Sequence, residues 1–338
     1  MPSDSTLDKV KRLRELTGVG FKDCKKSIKV YFFKSKSIRF QKIKIIFFIM
    51  SQDNTLDKVK RLRELTGVGF KDCKNAIDET NGDIEKSIEF LRKKGIAKAN
   101  KKMERVAADG LISICEEKNK FSIIEVNSET DFVAKNNEFI KFVEEISKLA
   151  LLNSGKMNDI LVAKMENKKN VKDNLLSVIS KIGEKISLRR SECLESDKFM
   201  NFSYMHSAVK KNLGKIGVLL SLETKIKREK LLDFGKQMAM HIAASSPLTI
   251  DKDTLDRNLL KKEKEIITEE LKNSGKDNKI IDKIVLGKLN KFIADNTLLN
   301  QEWIMEPKKK VKDIIKEVAG KDHLIVKKFI RFKVGEGV

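Results

Sequence analysis

The sequence predicts an α+β fold with three parts: an N-terminal bundle of three helices, a two-part core that combines helices with antiparallel sheets, and a helical hairpin inserted into that core. Three observations support this prediction. Apolar residues recur at helical spacing between glycine turns in residues 54–92. Strand-like stretches then alternate with helical ones. Residues 253–296 carry only a helical pattern, and three prolines in 338 residues leave long helices uninterrupted.

The first 49 residues do not fit this scheme. Residues 6–25 recur letter for letter as residues 55–74, whereas repeats that build an architecture drift in sequence and need three or more units to form a core. After Lys25 the first copy becomes a basic stretch rich in Lys, Ile and Phe, and Met50 stands where a fresh start would fall. We interpret residues 1–49 as a partial duplication or a translated upstream segment that is poorly ordered. The alternative is a genuine basic extension that contacts a membrane or RNA.

Residues 50–105 are predicted to form the helical bundle and a linker. The first helix carries an apolar side chain at every third position, in the series Leu56, Val59, Leu62 and Leu65. Glycines at the TGVG segment 66–69 and at Asn81-Gly82 end the first two helices, because glycine accepts turn conformations that other residues avoid.

This bundle resembles the ubiquitin-associated type, in which the first loop and the third helix form an apolar docking surface. The corresponding candidates in this sequence are Leu62, Val68 and Phe70. The alternative is that all three belong to the bundle core. The pattern favours the core for Leu62 and leaves the position of Phe70 open.

The first half of the core is predicted over residues 106–195. Its clearest strand is the apolar segment 121–126, and a helix that runs through Ala150 buries one stripe, formed by Phe139, Phe142, Val143 and Ile146. Between strand and helix, a polar run is followed by Phe132. Loops at strand ends often carry function. An aromatic residue there either packs under the loop or is presented to a partner, and spacing alone favours packing.

The second half is predicted over residues 196–250 and 304–338, with the hairpin insert at residues 251–303. Further strands fit residues 186–190, 202–206 and 216–222, and a helix fits residues 230–244. The hairpin helices carry apolar stripes on either side of a turn at Ser274-Gly275. We assign Leu255, Leu259, Ile266 and Leu271 to the first stripe, and Ile280, Ile284, Leu289 and Phe292 to the second.

Several functional classes find no support in the sequence. It contains no phosphate-binding glycine loop, no nucleophile with a matching base, and no pair of histidines at metal spacing, so we expect no enzyme activity, no cofactor and no metal. The four cysteines form no C-x-x-C pair. The apolar run at residues 45–50 is far shorter than the roughly 20 residues of a membrane helix, so we expect a cytoplasmic protein without membrane contact.

A set of long motifs resembles the elongation factor Ts family across residues 54–338. The strongest is ETDFVAKN at residues 129–136, which follows the bundle motifs TGVGFKDCK and NGDIEKSIEFLRKKG. The others, in chain order, are VAADG at 106–110, KIGE at 181–184, MHIAAS at 240–245 and FIRFKVGEG at 329–337.

The resemblance implies a guanine nucleotide exchange factor that binds GDP-bound elongation factor Tu, displaces Mg²⁺ and promotes GDP release during translation elongation. It assigns the displacement of magnesium to Thr130, Asp131, Phe132 and Val133, with Phe132 as a wedge. It also implies docking contacts through Leu62, Phe70 and His241. The hairpin would project from the core as a coiled coil, which mediates dimerisation in some members, so a homodimer through the hairpin stays open here.

Two other functions remain as alternatives at this stage. The net charge of +22 suggests a basic RNA- or ribosome-associated binding protein. Beyond the first 50 residues, however, lysine and glutamate are interleaved along predicted helices, and aromatic residues make up only 6% of the chain, so we expect no direct contact with nucleic acid. A weaker alternative is a peptide-docking scaffold built on the bundle alone.

Overall fold

The structure, a computed structural model, describes residues 55–102, 104–196, 198–272 and 278–338. The front segment 1–49 and the turn predicted at Ser274-Gly275 lie outside these residues. The described part combines helices with antiparallel strands, which confirms the predicted α+β class. It divides into two compact units, one that ends at Ala97 and one that spans Lys98–Val338.

The first unit contains α1 (residues 55–66), α2 (Phe70–Glu79) and the part of α3 (Ile84–Lys102) that precedes Lys98. Asn81 and Gly82 both take positive φ after α2, and the Gly82 amide bonds to the Ile77 carbonyl at 2.8 Å, which closes the helix end as the sequence predicts. Asp83 caps α3 by accepting from the Lys86 amide at 3.0 Å. The small core consists of Val59, Leu62, Cys73, Ala76, Ile77 and Leu91.

One detail of the predicted α1 stripe is wrong. Val59 and Leu62 are buried, but Leu56 and Leu65 are exposed. A spacing of three advances 300° around a helix, so a run of four such positions drifts away from the face that packs. The ends of the stripe therefore lie outside the bundle core.

The second unit contains a four-stranded sheet formed by β1 (Asp109–Glu117), β2 (Lys120–Ser128), β3 (Ile186–Glu195) and β5 (Leu213–Gly214). The strands lie in the order β3-β2-β1-β5, and every pairing is antiparallel. Gly110 lets β1 approach β2 closely, since a Cβ built there would lie 2.1 Å from the Val126 carbonyl oxygen.

Four helices connect β2 to β3, and their apolar side chains form a core with that sheet. They are α4 (Asp131–Ala134), α5 (Asn137–Leu152), α6 (Met157–Val162) and α7 (Val171–Ile182). The predicted α5 stripe of Phe139, Phe142, Val143 and Ile146 is confirmed, because all four side chains are buried.

A second sheet has the order β4-β6-β9, with strands β4 (Met200–His206), β6 (Ile216–Thr224) and β9 (Leu324–Lys333). Its partner helices are α8 (Arg228–Ser245) and α11 (Val311–Ala319), and a short hairpin of β7 (Glu302–Trp303) and β8 (Glu306–Lys310) lies between the insert and α11. Gly235 on α8 makes room for the Phe202 ring, which would lie 2.4 Å from a Cβ at that position.

The two sheets pack face to face through apolar side chains of β1, β2, β6 and β9. As a result β2 has the helices on one face and the second sheet on the other. Its residues from Phe121 to Ser128 are all buried, which explains why this strand lacks the alternation of a half-exposed one.

The insert is an antiparallel pair of helices, α9 (Arg257–Lys272) and α10 (Asn278–Asn296). Ile267, Leu271, Ile281 and Val285 form its apolar seam. The predicted stripe is wrong at Ile266 and Ile280, which are exposed, each one residue before a seam position. None of the helices in the described ranges is long and apolar enough to cross a membrane.

Candidate partner-binding site

The predicted Thr130–Val133 segment forms a compact tip between β2 and α5. Ser128 ends β2, α4 makes a single helical turn, and Asn136 caps α5 by accepting from the amides of Glu138 at 2.8 Å and Phe139 at 3.3 Å. The chain is thus anchored by a buried strand on one side and a capped helix on the other.

Phe132 projects from this tip into solvent, with 78% of its side chain exposed. Its neighbours Val133 and Ala134 are buried in the core of the first half. Because successive residues of a helical turn point about 100° apart, inserting Val133 and Ala134 into the core directs Phe132 outward. The expectation from spacing alone, that Phe132 packs under its loop, is therefore wrong.

Lys135 accompanies the exposed ring. Its ammonium nitrogen lies 6.0 Å from the centroid of Phe132 and 3.0 Å from a carboxylate oxygen of Asp131. The hydrogen bond from Lys135, followed by its charge, lowers the pKa of the exposed Asp131 carboxyl below its usual value. The tip therefore presents an apolar ring beside an ionised carboxylate at neutral pH.

Thr130, at the start of the tip, is held by two hydrogen bonds to Glu184. Its amide donates to one carboxylate oxygen of Glu184 at 3.0 Å, and its hydroxyl donates to the other at 2.8 Å. The residues adjacent to this pair form a second contact in the opposite direction. The Lys185 amide donates to the Glu129 carboxylate at 2.6 Å, and Arg105 lies 3.2 Å from the same carboxylate. Reciprocal hydrogen bonds thus join two segments that are far apart in sequence, residues 129–130 and residues 184–185.

The predicted docking residues differ in their exposure. Phe70 is 43% exposed at the start of α2, so it is available to a partner. Leu62 is fully buried in the bundle core. Its assignment to a docking contact is therefore wrong, and the alternative that it belongs to the core is confirmed.

His241 is also fully buried, so its assignment as a docking residue is wrong. Its Nε2 atom lies 3.1 Å from the Gln301 side-chain oxygen, its Nδ1 accepts from the Ile304 amide at 3.4 Å, and its ring stacks on Trp303 with centroids 5.1 Å apart. Burial lowers the pKa of this imidazole, against a smaller opposing effect of the Gln301 hydrogen bond. Its position on the inner side of α8 makes it a core residue that joins the helix to β7.

The described ranges contain neither a cluster of metal ligands nor a cysteine with a lowered pKa. No group of three or more His, Cys, Asp or Glu residues there is arranged to hold a metal ion. Cys73, Cys115 and Cys193 are free thiols, and burial raises the pKa of each one. Neutral, partly buried thiols are poor nucleophiles.

Comparison with known proteins decides the family. The family model described as elongation factor TS matches residues 129–336. Elongation factor Ts of Methylorubrum populi is 43% identical over 266 residues, which cover 78% of this chain and 86% of the relative. The same protein from Maricaulis maris is 39% identical, and that from Rickettsia prowazekii is 42% identical, with the same coverage of both chains.

This chain belongs to the elongation factor Ts family. Membership confirms the resemblance inferred from the motifs, and it does not favour the RNA- or ribosome-associated alternative. The model match begins at Glu129, the residue that opens the tip described above.

One residue that contacts the tip was missed by the sequence-based predictions. Glu184 stands in the family motif KIGE, but no role could be assigned to it, because the hydrogen bonds to Thr130 join positions 54 residues apart. The only local signal is Gly183, which ends α7 in a left-handed conformation with φ of 87° and so fixes where the next side chain emerges.

Proposed function

We propose that this chain is the guanine nucleotide exchange factor of elongation factor Tu in translation elongation. It binds the GDP-bound partner, displaces Mg²⁺ and promotes release of GDP. Family membership supports the partner and the activity. The observation that carries the role of the tip is the 78% exposure of Phe132, an aromatic side chain that projects into solvent although its neighbours Val133 and Ala134 are buried.

An exchange factor needs differential binding rather than a reaction centre. It must bind the nucleotide-free partner more tightly than the GDP-bound one, and linkage then weakens GDP by the same factor. A thousandfold weakening corresponds to about 4 kcal/mol of differential binding free energy. The proposal therefore requires neither enzyme chemistry nor a resident cofactor.

Each residue of the tip has a distinct part in this proposal. Phe132 enters between helices of elongation factor Tu beside the magnesium site, and Asp131 disturbs the local support of the ion with its charge. Thr130 is the anchored end of the tip, and Val133 is the buried end, which is 5% exposed. Val133 thus contributes by supporting the turn rather than by touching the partner.

The bundle supplies a second contact in this proposal. Phe70 docks on the GTPase domain of elongation factor Tu, and the exposed Leu56, Leu65 and Ile88 of the same unit offer further apolar surface. Such a contact would hold the two proteins together while the tip acts. We expect no direct contact with nucleic acid.

Release of a fluorescent GDP analogue from elongation factor Tu tests the function. The wild type should accelerate release, and Phe132→Ala should slow the accelerated rate about thirtyfold, because truncating an aromatic hot spot costs about 2 kcal/mol or more. Leu152→Ala is a matched control, since Leu152 is a 70% exposed apolar residue at the other end of α5. A wild-type protein that leaves the release rate unchanged would refute the proposal.

Self-association through the hairpin is a separate proposal. It is motivated by the exposed apolar residues Ile266, Ile280 and Leu286 on α9 and α10. Sedimentation velocity at micromolar concentration tests it: a dimer that becomes monomeric on Ile266→Glu supports the proposal, and a monomeric wild type contradicts it.

A further inference from the structure

The direction of the exposed Phe132 ring depends on the backbone beneath it. An exposed side chain has few packing contacts that fix its orientation. The Phe132 ring has a cation–π contact with the ammonium nitrogen of Lys135, which lies 6.0 Å from the ring centroid. Lys135 is itself an exposed residue of the same turn. The orientation of the ring must therefore come from how firmly the turn that carries it is fixed.

The first residue of that turn is fixed in an unusual way. Thr130 occupies the position that precedes α4, where a threonine hydroxyl ordinarily accepts a hydrogen bond from a helix amide. Here the hydroxyl makes no such cap and donates to Glu184 instead. The amide of Thr130 donates to the other oxygen of the same carboxylate, so one side chain holds both main chain and side chain of this residue.

Glu184 is well placed to serve as the fixed partner. It lies between the glycine that ends α7 and the buried Ile186 that begins β3, and it is half-buried. The reciprocal bond from the Lys185 amide to Glu129 prevents the two segments from sliding past each other. Hydrogen bonds to a carboxylate are stronger than neutral ones, and two parallel bonds add directional control.

We propose that Glu184 is a positioning residue of the exchange tip: its carboxylate fixes Thr130 and thereby the direction in which Phe132 is presented to elongation factor Tu. This inference rests on the proposed function. It assigns Glu184 no contact with the partner, because the side chain is occupied by Thr130.

The test is the release of a fluorescent GDP analogue, measured over a range of factor concentrations. Glu184→Ala should lower the maximal release rate about tenfold, because a displacement of about 1 Å in a group whose position determines a rate can reduce that rate by orders of magnitude. The half-saturating concentration should change less than the maximal rate, since Phe70 and the bundle surface are untouched. Glu184→Gln keeps one accepting oxygen and should lose only about threefold.

Glu195→Ala is the matched control. Glu195 is the last residue of β3, whereas Glu184 precedes the first residue of that strand. Glu195 also accepts a hydrogen bond from a hydroxyl, that of Ser154 at 3.1 Å. Its maximal release rate should equal that of the wild type. An equal loss in Glu195→Ala and Glu184→Ala would mean that general destabilisation is the cause and would overturn the inference.

A double-mutant cycle and an exchange measurement separate positioning from other effects. In a Thr130→Val background, Glu184→Ala should cost about threefold instead of tenfold, because part of the interaction is already gone. In the Glu184→Ala variant the Thr130 amide should exchange its hydrogen faster, whereas amides in the middle of α5 should not change. Additive losses and an unchanged Thr130 amide would contradict the inference.

The outcomes distinguish this inference from the function on which it rests. A wild type that accelerates release, together with a Glu184→Ala variant that does so equally well, overturns the inference and leaves the proposed function standing. A wild type without any effect on release overturns both.

Discussion

The carboxylate of Glu125 lies 2.6 Å from the Arg190 guanidinium, and Glu125 itself is fully buried in the middle of β2. Arg189 approaches the other carboxylate oxygen at 3.0 Å, and the Gly335 amide donates to that oxygen at 2.8 Å. Arg190 also lies over the Phe332 ring of β9, 4.2 Å from its centroid. One buried carboxylate therefore joins two strands of the first sheet to the chain that follows the last strand of the second.

We expect Glu125→Gln to destabilise the second unit by about 2–4 kcal/mol, because removing one partner of a buried ion pair leaves the other charges uncompensated. Urea unfolding followed by circular dichroism measures the change. Glu223→Gln is the control, since Glu223 forms a solvent-exposed pair with Lys327 and its replacement should lower the stability much less than Glu125→Gln does. Equal stability of wild type and Glu125→Gln would show that the buried network contributes nothing.

The pairing of Glu125 with Arg190 also predicts how the free energy of unfolding depends on pH. Burial raises the pKa of Glu125, but the Gly335 amide, Asn127 and Arg190 together outweigh it, so the pKa in the folded state lies below the usual 4.5. A lowered pKa means that the unfolded chain binds the proton first, so this stability is present above about pH 4.5 and is lost as pH falls through the folded-state pKa. The stability gap between wild type and Glu125→Gln should therefore narrow below that pH in urea titrations.

His241 leads to a second prediction in which stability is also lost as the pH falls. Its folded-state pKa is lowered by burial, so below about pH 6.5 the unfolded chain binds a proton that the folded protein resists. Relative to His241→Gln, the wild type should lose up to about 1.4 kcal/mol per pH unit on acidification from about pH 6.5. Urea titrations of both proteins measure this difference, and identical slopes would mean that His241 becomes protonated freely in the folded state.

Substitutions at Leu62 and Phe70 should have different effects: the first should lower the stability of the bundle, and the second should weaken binding to the partner. Leu62→Ala should destabilise the bundle by about 2–5 kcal/mol, because it empties a fully buried position. Phe70→Ala should change stability by less than about 1 kcal/mol but weaken binding to elongation factor Tu about tenfold, since the ring is exposed. Thermal unfolding and titration calorimetry provide the two measurements. Full affinity in Phe70→Ala would remove Phe70 from the docking surface.

Much of the fold was predictable from local pattern. The strand at residues 121–126, the α5 stripe and the glycine-ended helices of the bundle follow from rules that act within a few residues, namely side-chain periodicity and permitted backbone angles. The ETDFVAKN segment was likewise identifiable, because it is a contiguous motif.

Predictions that depended on which side of an element faces a neighbour were less successful. The stripe on the inserted hairpin was assigned to Ile266 and Ile280, whereas Ile267 and Ile281 form the seam. Adjacent isoleucines satisfy a helical period almost equally well. Only the packing of one helix on the other selects between them.

The sequence by itself determined the family, the α+β class and the segment that forms the tip, because these reside in contiguous motifs and in local periodicity. Tertiary structure alone decided that Phe132 points into solvent, that His241 is buried, and that Glu184 accepts hydrogen bonds from Thr130. Exposure and long-range hydrogen bonds are relations between distant parts of the chain. They come into existence only when folding brings those parts together.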